Sequence, residues 1–167
     1  VRAAIVHNNL GLAEFEIEGG DRAIAAREMQ QALRLRRASG DQRGTAETLN
    51  NLGVLAQDAG DLPQAWSCYE EALRCEARLC HAIGVARALY NLSEVAEEQQ
   101  SPLRALRLSS ASGVLFGAAG SPLHRYPAEM IARLAPQQPE APLAAWREQW
   151  RNLPLDELIA SALRNPP

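Results

Sequence analysis

Small and large apolar residues recur along this chain at two nested spacings, three or four residues within a segment and about 40 between segments. The clearest segment reads Thr48-Leu49-Asn50-Asn51-Leu52-Gly53, then Ala56, Gly60-Asp61, Ala65, Tyr69 and Ala72. Asn8-Asn9-Leu10-Gly11 echoes it upstream, and Leu89-Tyr90-Asn91-Leu92-Ser93 echoes it downstream. The short spacing predicts amphipathic helices. Recurrence at the long one predicts helical hairpins stacked in an array.

Taken in order, residues 2–18 predict a first helix with apolar surface from Ile5, Leu10, Leu12, Ala13 and Ile17. Gly19-Gly20 stops it and Asp21 caps a second helix over 21–38, striped by Ala25, Met29, Ala32, Leu33 and Leu35. Gly40-Asp41 repeats that device before helices over 42–59 and 61–79, which are parted by Gly60-Asp61 with Pro63 in the first turn. So short a connection forces the two helices antiparallel. Gly53 and Ala56 are small where Ala65, Tyr69 and Ala72 must come close. A third pair is expected over 82–99 and from the Ser101-Pro102 cap to 118, with Leu89, Leu92, Ser93, Ala96 and Ala105 at matching positions.

Gly40-Asp41, Cys80-His81 and Gly120-Ser121 fall 40 residues apart, and the middle pair, lacking glycine and aspartate, predicts a softer junction. The first motif precedes the second by 42 residues, which places two extra residues in the loop from Ile17 to Gly20. At Pro122 the period fails. Helices near 125–135, 140–151 and 154–164 are expected instead, around Pro136, Pro139 and Pro142. Trp146 and Trp150 share one helical face, and Leu153, Leu155, Leu158, Ile159 and Leu163 form another stripe. The expected organisation is three hairpins (1–40, 41–80 and 81–121) and a C-terminal helical cap over 122–167, closing the apolar end of the stack.

Composition sharpens this. Alanine and leucine dominate while β-branched residues are sparse, which favours close-packed helices. All seventeen basic residues are arginine, so lysine chemistry such as a phosphate loop or a Schiff base is excluded from this segment, and a GC-rich bacterial origin is suggested. A net charge of −3 and the lack of a basic stripe argue against nucleic-acid contact. No apolar run reaches the roughly 20 residues of a membrane span, and no secretory signal is present. The chain opens at Val1 and runs at once into helical sequence, as a piece of a longer protein would. Cys68, Cys75 and Cys80 read as buried reduced thiols of a cytoplasmic protein; the alternative is a zinc site using Cys75, Cys80 and His81.

Leu49, Leu52, Gly53, Ala56, Ala65, Tyr69 and Ala72 resemble the tetratricopeptide repeat, and the 40-residue period with its Asn-Asn-Leu-Gly motif resembles the long-helix variety of kinesin light chains. His7 and Glu14 in the first repeat, and Ser93 and Ser109 in the third, depart from that pattern. Residues 104–111, Gly120-Ser121-Pro122-Leu123, Ala145-Trp146 and Leu155-Asp156-Glu157-Leu158-Ile159 resemble the tetratricopeptide tail of bacterial signalling ATPases and large LuxR-type transcription regulators. The resemblance implies an all-α fold, an α-α superhelix of right-handed sense, with no catalytic residue, cofactor or metal. It implies a scaffold for signal transduction that binds a protein or peptide partner, or another domain of its own chain, in a concave groove.

Two amide ladders are expected in that groove: Asn9, Asn51 and Asn91, and beside them Asn8, Asn50 and Tyr90. An amide offers donors and an acceptor to an extended backbone. The bland reading is that these amides only stiffen the stack. Arg43 and Arg87 would supply a basic rim; Asp58, Glu97 and Glu98 would supply an acidic one. Glu94, a groove candidate, also lies with Glu97 and Glu98 on what reads as a solvated face. His7, His81 and His124 lack companions for catalysis, and Trp66 is expected at a seam between hairpins. Two rival functions are self-association as a homodimer through the first helix, where Ile5 and Leu12 lack an upstream neighbour, and small-molecule effector sensing in an apolar pocket against the cap.

Overall fold

The computed structural model describes residues 2–164, and among these it contains helices and turns and no strand. Val1 and residues 165–167, the outer ends of the first expected hairpin and of the cap, lie outside the described residues. The helices are α1 (Arg2–Glu16), α2 (Arg22–Ala38), α3 (Gln42–Asp58), α4 (Leu62–Arg78), α5 (Ala82–Glu98), α6 (Pro102–Ala118), α7 (Arg125–Leu134), α8 (Leu143–Trp150) and α9 (Leu155–Leu163). The all-α hairpin architecture expected from the pattern is therefore present. The final helices are shorter than expected, and 3-10 turns at Pro122–His124 and Ala135–Gln137 flank α7.

From α2 to α6 every helix is 17 residues long. Three residues join each to the next, the second of which adopts a left-handed backbone. Gly40 (φ 71°) and Gly60 (φ 76°) do so without a side-chain penalty. Here the amides of Asp41 and Asp61 reach back to the carbonyls of Arg36 and Ala56, at 3.0 and 2.9 Å, closing the helix end in a Schellman arrangement. The same aspartates then cap the following helix, through bonds to the amides of Gly44 and Gln64. Cys80 (φ 51°) and Gln100 (φ 57°) hold the left-handed position despite their Cβ atoms. His81 and Ser101 after them make no side-chain cap bond. The connection from α1 to α2 is longer, residues 17–21 instead of three, which accounts for the 42-residue spacing of the first motif.

The chain divides into two compact units, Val1–Leu79 and Cys80–Pro167. In the first, α1 pairs with α2, α3 pairs with α4, and α3 lies in turn against α2. Each pair meets at a small residue. A Cβ on Gly11 would stand 2.6 Å from Cγ of Met29, and one on Gly53 would strike the ring of Tyr69. Leu33, Ala46, Leu49, Ala72 and Cys75 form one core cluster, and Ala25, Met29 and Leu55 form the next. The expected apolar face of α1 needs correction: Ile5, Leu10 and Ile17 are exposed, and the buried positions are Ala4, Asn8 and Gly11. Leu12 is half-buried against the Met29 cluster. On α2, Arg36 is buried and Leu35 only half-buried.

In the second unit α5 pairs with α6. Ser93 and Ser109 stand where Gly53 and Tyr69 stand 40 residues earlier, and the space of the missing ring is filled from α7. Ser109 Oγ donates to Ser93 Oγ at 2.9 Å, and Met130 Sδ lies 2.8 Å from Ser109 Oγ. Helices α7, α8 and α9 all pack on α6. Trp146 and Trp150 stack at 5.9 Å on the buried face of α8. Trp150 Nε1 donates to Ser161 Oγ of α9 at 2.9 Å. Arg107 of α6 lies over both indoles and donates to the Ser161 carbonyl at 2.7 and 3.0 Å, so one guanidinium clasps α6, α8 and α9 together.

Candidate functional site

In the first unit the structure joins amides that the ladders had kept apart. Asn8 is fully buried, and its Oδ1 accepts from Asn51 Nδ2 at 3.1 Å and from Thr48 Oγ1 at 3.2 Å. Asn8 thus lies inside the α1–α3 contact, with its Nδ2 unpartnered, and lines no open surface. Asn50 is buried too and donates to the Ala46 carbonyl of its own helix at 3.0 Å. Asn51 is half-buried, and beyond its bond to Asn8 it keeps an unused carbonyl oxygen.

Asn9 and Arg43 are exposed and line one hollow of about 360 Å³, together with Ile5, Glu47, Asp41 and Arg36. Among the described residues neither Asn9 nor Arg43 has a side-chain hydrogen bond or ion pair, so the donors of both are unused. Arg36 forms the hollow's fixed wall. It is 3 % exposed, and its guanidinium donates to the Gly44 carbonyl at 2.5 Å, to Thr48 Oγ1 at 2.8 Å and to Glu47 at 3.1 Å. Gly44 leaves room for it, since a Cβ there would lie 2.8 Å from Arg36 Cδ. Arg36 was passed over because a charged side chain reads as solvent-facing, although its i+3 spacing from Leu33 puts it on the same buried face.

Tyr90, Asn91, Arg87 and Glu94 lie on α5 of the second unit; Arg87 is exposed and the others half-buried. The Tyr90 hydroxyl donates to the Glu94 carboxylate one turn on, and its ring lies 6.0 Å from that of Tyr126. Burial, then the Glu94 charge, pushes the Tyr90 phenol up, and burial likewise raises the Glu94 carboxyl. Glu97 pairs with Arg133 of α7 through both carboxylate oxygens. The solvated acidic face expected here therefore needs correction: only Glu98 of the three is exposed.

Two larger clefts lay outside the sequence reading. One, of about 590 Å³, is lined from α2, α3 and α4, with Leu33, Leu49, Leu52 and Leu55 at its base. Ion pairs Arg22–Asp58 (3.1 Å) and Arg37–Glu71 (2.5 Å) stand at its edge. The other, about 550 Å³, lies in the second unit against α6. The remaining candidates resolve simply. His7 is not isolated, since its Nδ1 stands 2.6 Å from Glu28, whose carboxyl is held below the ordinary range mainly by that bond. His124 Nδ1 bonds the Ser121 carbonyl at 2.8 Å. Trp66 is half-buried. Cys68 and Cys75 are buried, which raises both thiols, whereas Cys80 is exposed, contrary to expectation. Among the described residues no group of three His, Cys, Asp or Glu side chains could hold a metal ion, and no helix is long and apolar enough to cross a membrane.

Antiparallel helix pairs recurring along the chain define a helical-repeat architecture. The family model of the tetratricopeptide repeat matches residues 2–75, so this stretch is similar to that repeat. Such repeats generally mediate protein–protein interaction and are not themselves catalytic. No curated protein matches the chain.

Proposed function

We propose that the chain is a non-catalytic interaction segment whose α1–α3 face holds an extended stretch of a protein partner or of another domain of its own chain. One observation carries this reading: Asn9 and Arg43, from the first helices of successive hairpins, line one hollow with their hydrogen-bonding groups unused. The amide suits a backbone carbonyl or N–H, and the guanidinium suits a carboxylate. An acidic extended peptide is the guest they fit. The 40-residue period and the tail-like residues 104–111 and 155–159 support the long-helix variety and a place within a cytoplasmic bacterial signalling ATPase or transcription regulator. There, occupancy of this face would shift the population of an attached module.

Selection from a displayed peptide library on the intact chain tests it. Enriched peptides should carry Asp or Glu and lose at least tenfold in affinity when Arg43→Glu and Asn9→Ala are combined. Selected peptides whose binding ignores that pair would refute the reading.

A second reading, self-association, rests on Val6 and Leu10 of α1 and Ile17 just past its end, which are 56 %, 50 % and 57 % exposed. Light scattering should give a dimer mass that Leu10→Glu halves. A monomer at all concentrations would end it.

A further inference from the structure

We infer that the cleft of the second unit is a binding site for a small amphiphile with one anionic head, of the monocarboxylate class. Its volume of about 550 Å³ falls in the range of small-ligand clefts, roughly 300–1,000 Å³. Helix α6 supplies a floor of small residues, Gly113, Val114, Gly117 and Ala118, and α7 supplies Ile131 as an apolar wall. The two glycines keep the floor low. A Cβ on Gly117 would meet nothing within 4 Å, and one on Gly113 would only touch Pro127 at 3.8 Å. The cleft is therefore space that no side chain of the protein claims.

The ionised side chains around it, both arginines, share one sign. Arg147 of α8, Arg151 just beyond it and His124 line the cleft, and no carboxylate does. Among the described residues Arg147 has no partner, while Arg151 reaches Glu148 only at 3.5 Å between two exposed side chains, a weak pair. His124 commits Nδ1–H to the Ser121 carbonyl, which turns Nε2 to other use. Ser110, 1 % exposed, lines the cleft from α6, and its Oγ is buried with no hydrogen-bond partner. An unbonded buried hydroxyl is destabilising, and a ligand oxygen would relieve that cost. An apolar floor, an orphan hydroxyl and unopposed guanidinium charge fit an apolar tail with a carboxylate head. A neutral or cationic guest would leave the arginines unanswered.

Calorimetry and amide NMR on the whole chain, with decanoate and decanol as probes, test this. Decanoate should bind with shifts confined to α6, α7 and α8, at least tenfold tighter than decanol. Arg147→Ala with Arg151→Ala should remove that preference and leave decanol unchanged. Gly117→Leu, which fills the floor and favours the helix, should abolish binding of both while keeping the helical circular dichroism. Equal affinity for the two probes, binding indifferent to Gly117→Leu, or shifts centred on α1–α4 would each overturn the inference. The peptide site on α1–α3 stands or falls separately, because neither set of variants touches the other.

Discussion

Replacing Gly53 by alanine puts a methyl group into the ring of Tyr69. The added Cβ would lie 2.7 Å from Cδ1 and 2.8 Å from Cζ, well inside contact distance. The ring has nowhere to go: Tyr69 is 1 % exposed, and its hydroxyl is tethered at 3.0 Å to Gln57 Oε1. Alanine gains about 1 kcal/mol over glycine as a helix former. Overpacking costs about 1–3 kcal/mol, and swinging the ring aside forfeits a hydrogen bond worth about 1 kcal/mol. The net expectation is a loss of about 1–3 kcal/mol. Gly117→Ala is the matched control, with open space around its Cβ, and should gain up to about 1 kcal/mol. Urea denaturation of both variants, followed by circular dichroism, reads the two signs. A Gly53→Ala protein as stable as its parent would refute the packing argument. So would a double-mutant cycle showing no coupling between Gly53→Ala and Tyr69→Leu.

Arg36→Ala should destabilise the first unit by about 2–3 kcal/mol, because it strips a charged donor from the buried Gly44 carbonyl and Thr48 hydroxyl; urea midpoints check this, and a change below about 0.5 kcal/mol counts against it. The Glu28 carboxyl, depressed chiefly by its bond to His7, gives the first unit stability that is full above the ordinary glutamate pKa and is lost as pH falls through the lower folded value. An NMR titration should find Glu28 below the ordinary range and returning toward it in His7→Ala. Arg107→Lys should fail to replace the clasp on Ser161, since an ammonium lacks the planar fork, and Trp146 and Trp150 fluorescence should shift to the red; an unchanged spectrum would argue that the indoles alone hold α8 and α9.

Much of the fold could be read from residue spacing because its determinants are local. Glycine with aspartate at 40–41 and 60–61 announces both a helix stop and the next cap, and Pro63 and Pro102 fall in the first turns where a missing N–H is harmless. The misreadings share a cause, which is that they depend on what lies opposite. Helix α1 was expected to bury Ile5 and Leu10, yet it turns Ala4, Asn8 and Gly11 inward, because close approach to Met29 and an amide bond to α3 decide its rotation. Left-handed Cys80 and Gln100 carry no local signal, but each falls 40 residues after a helix-stopping glycine, Gly40 and Gly60, and could be inferred from that place in the period. Of the candidate site residues, Asn9 and Arg43 do share a surface, while Asn8 and Asn50 do not, since spacing alone cannot tell which of two adjacent amides faces inward. The serines at 93 and 109 look like decay of the motif until Met130, 37 and 21 residues further on, is seen completing them.

The amide knot of Asn8, Thr48 and Asn51 has a consequence for assembly. Alanine and leucine faces are nearly interchangeable from one hairpin to the next, so greasy contact alone would tolerate α1 sliding along α3 by a helical turn, about 5.4 Å. Such a slip would strand Asn8 against hydrocarbon and leave Thr48 without its acceptor. A side chain that adds little to cohesion, with one of its own N–H groups still idle, therefore acts as a detent. It sets the alignment of two otherwise slippery rods by penalising every other notch.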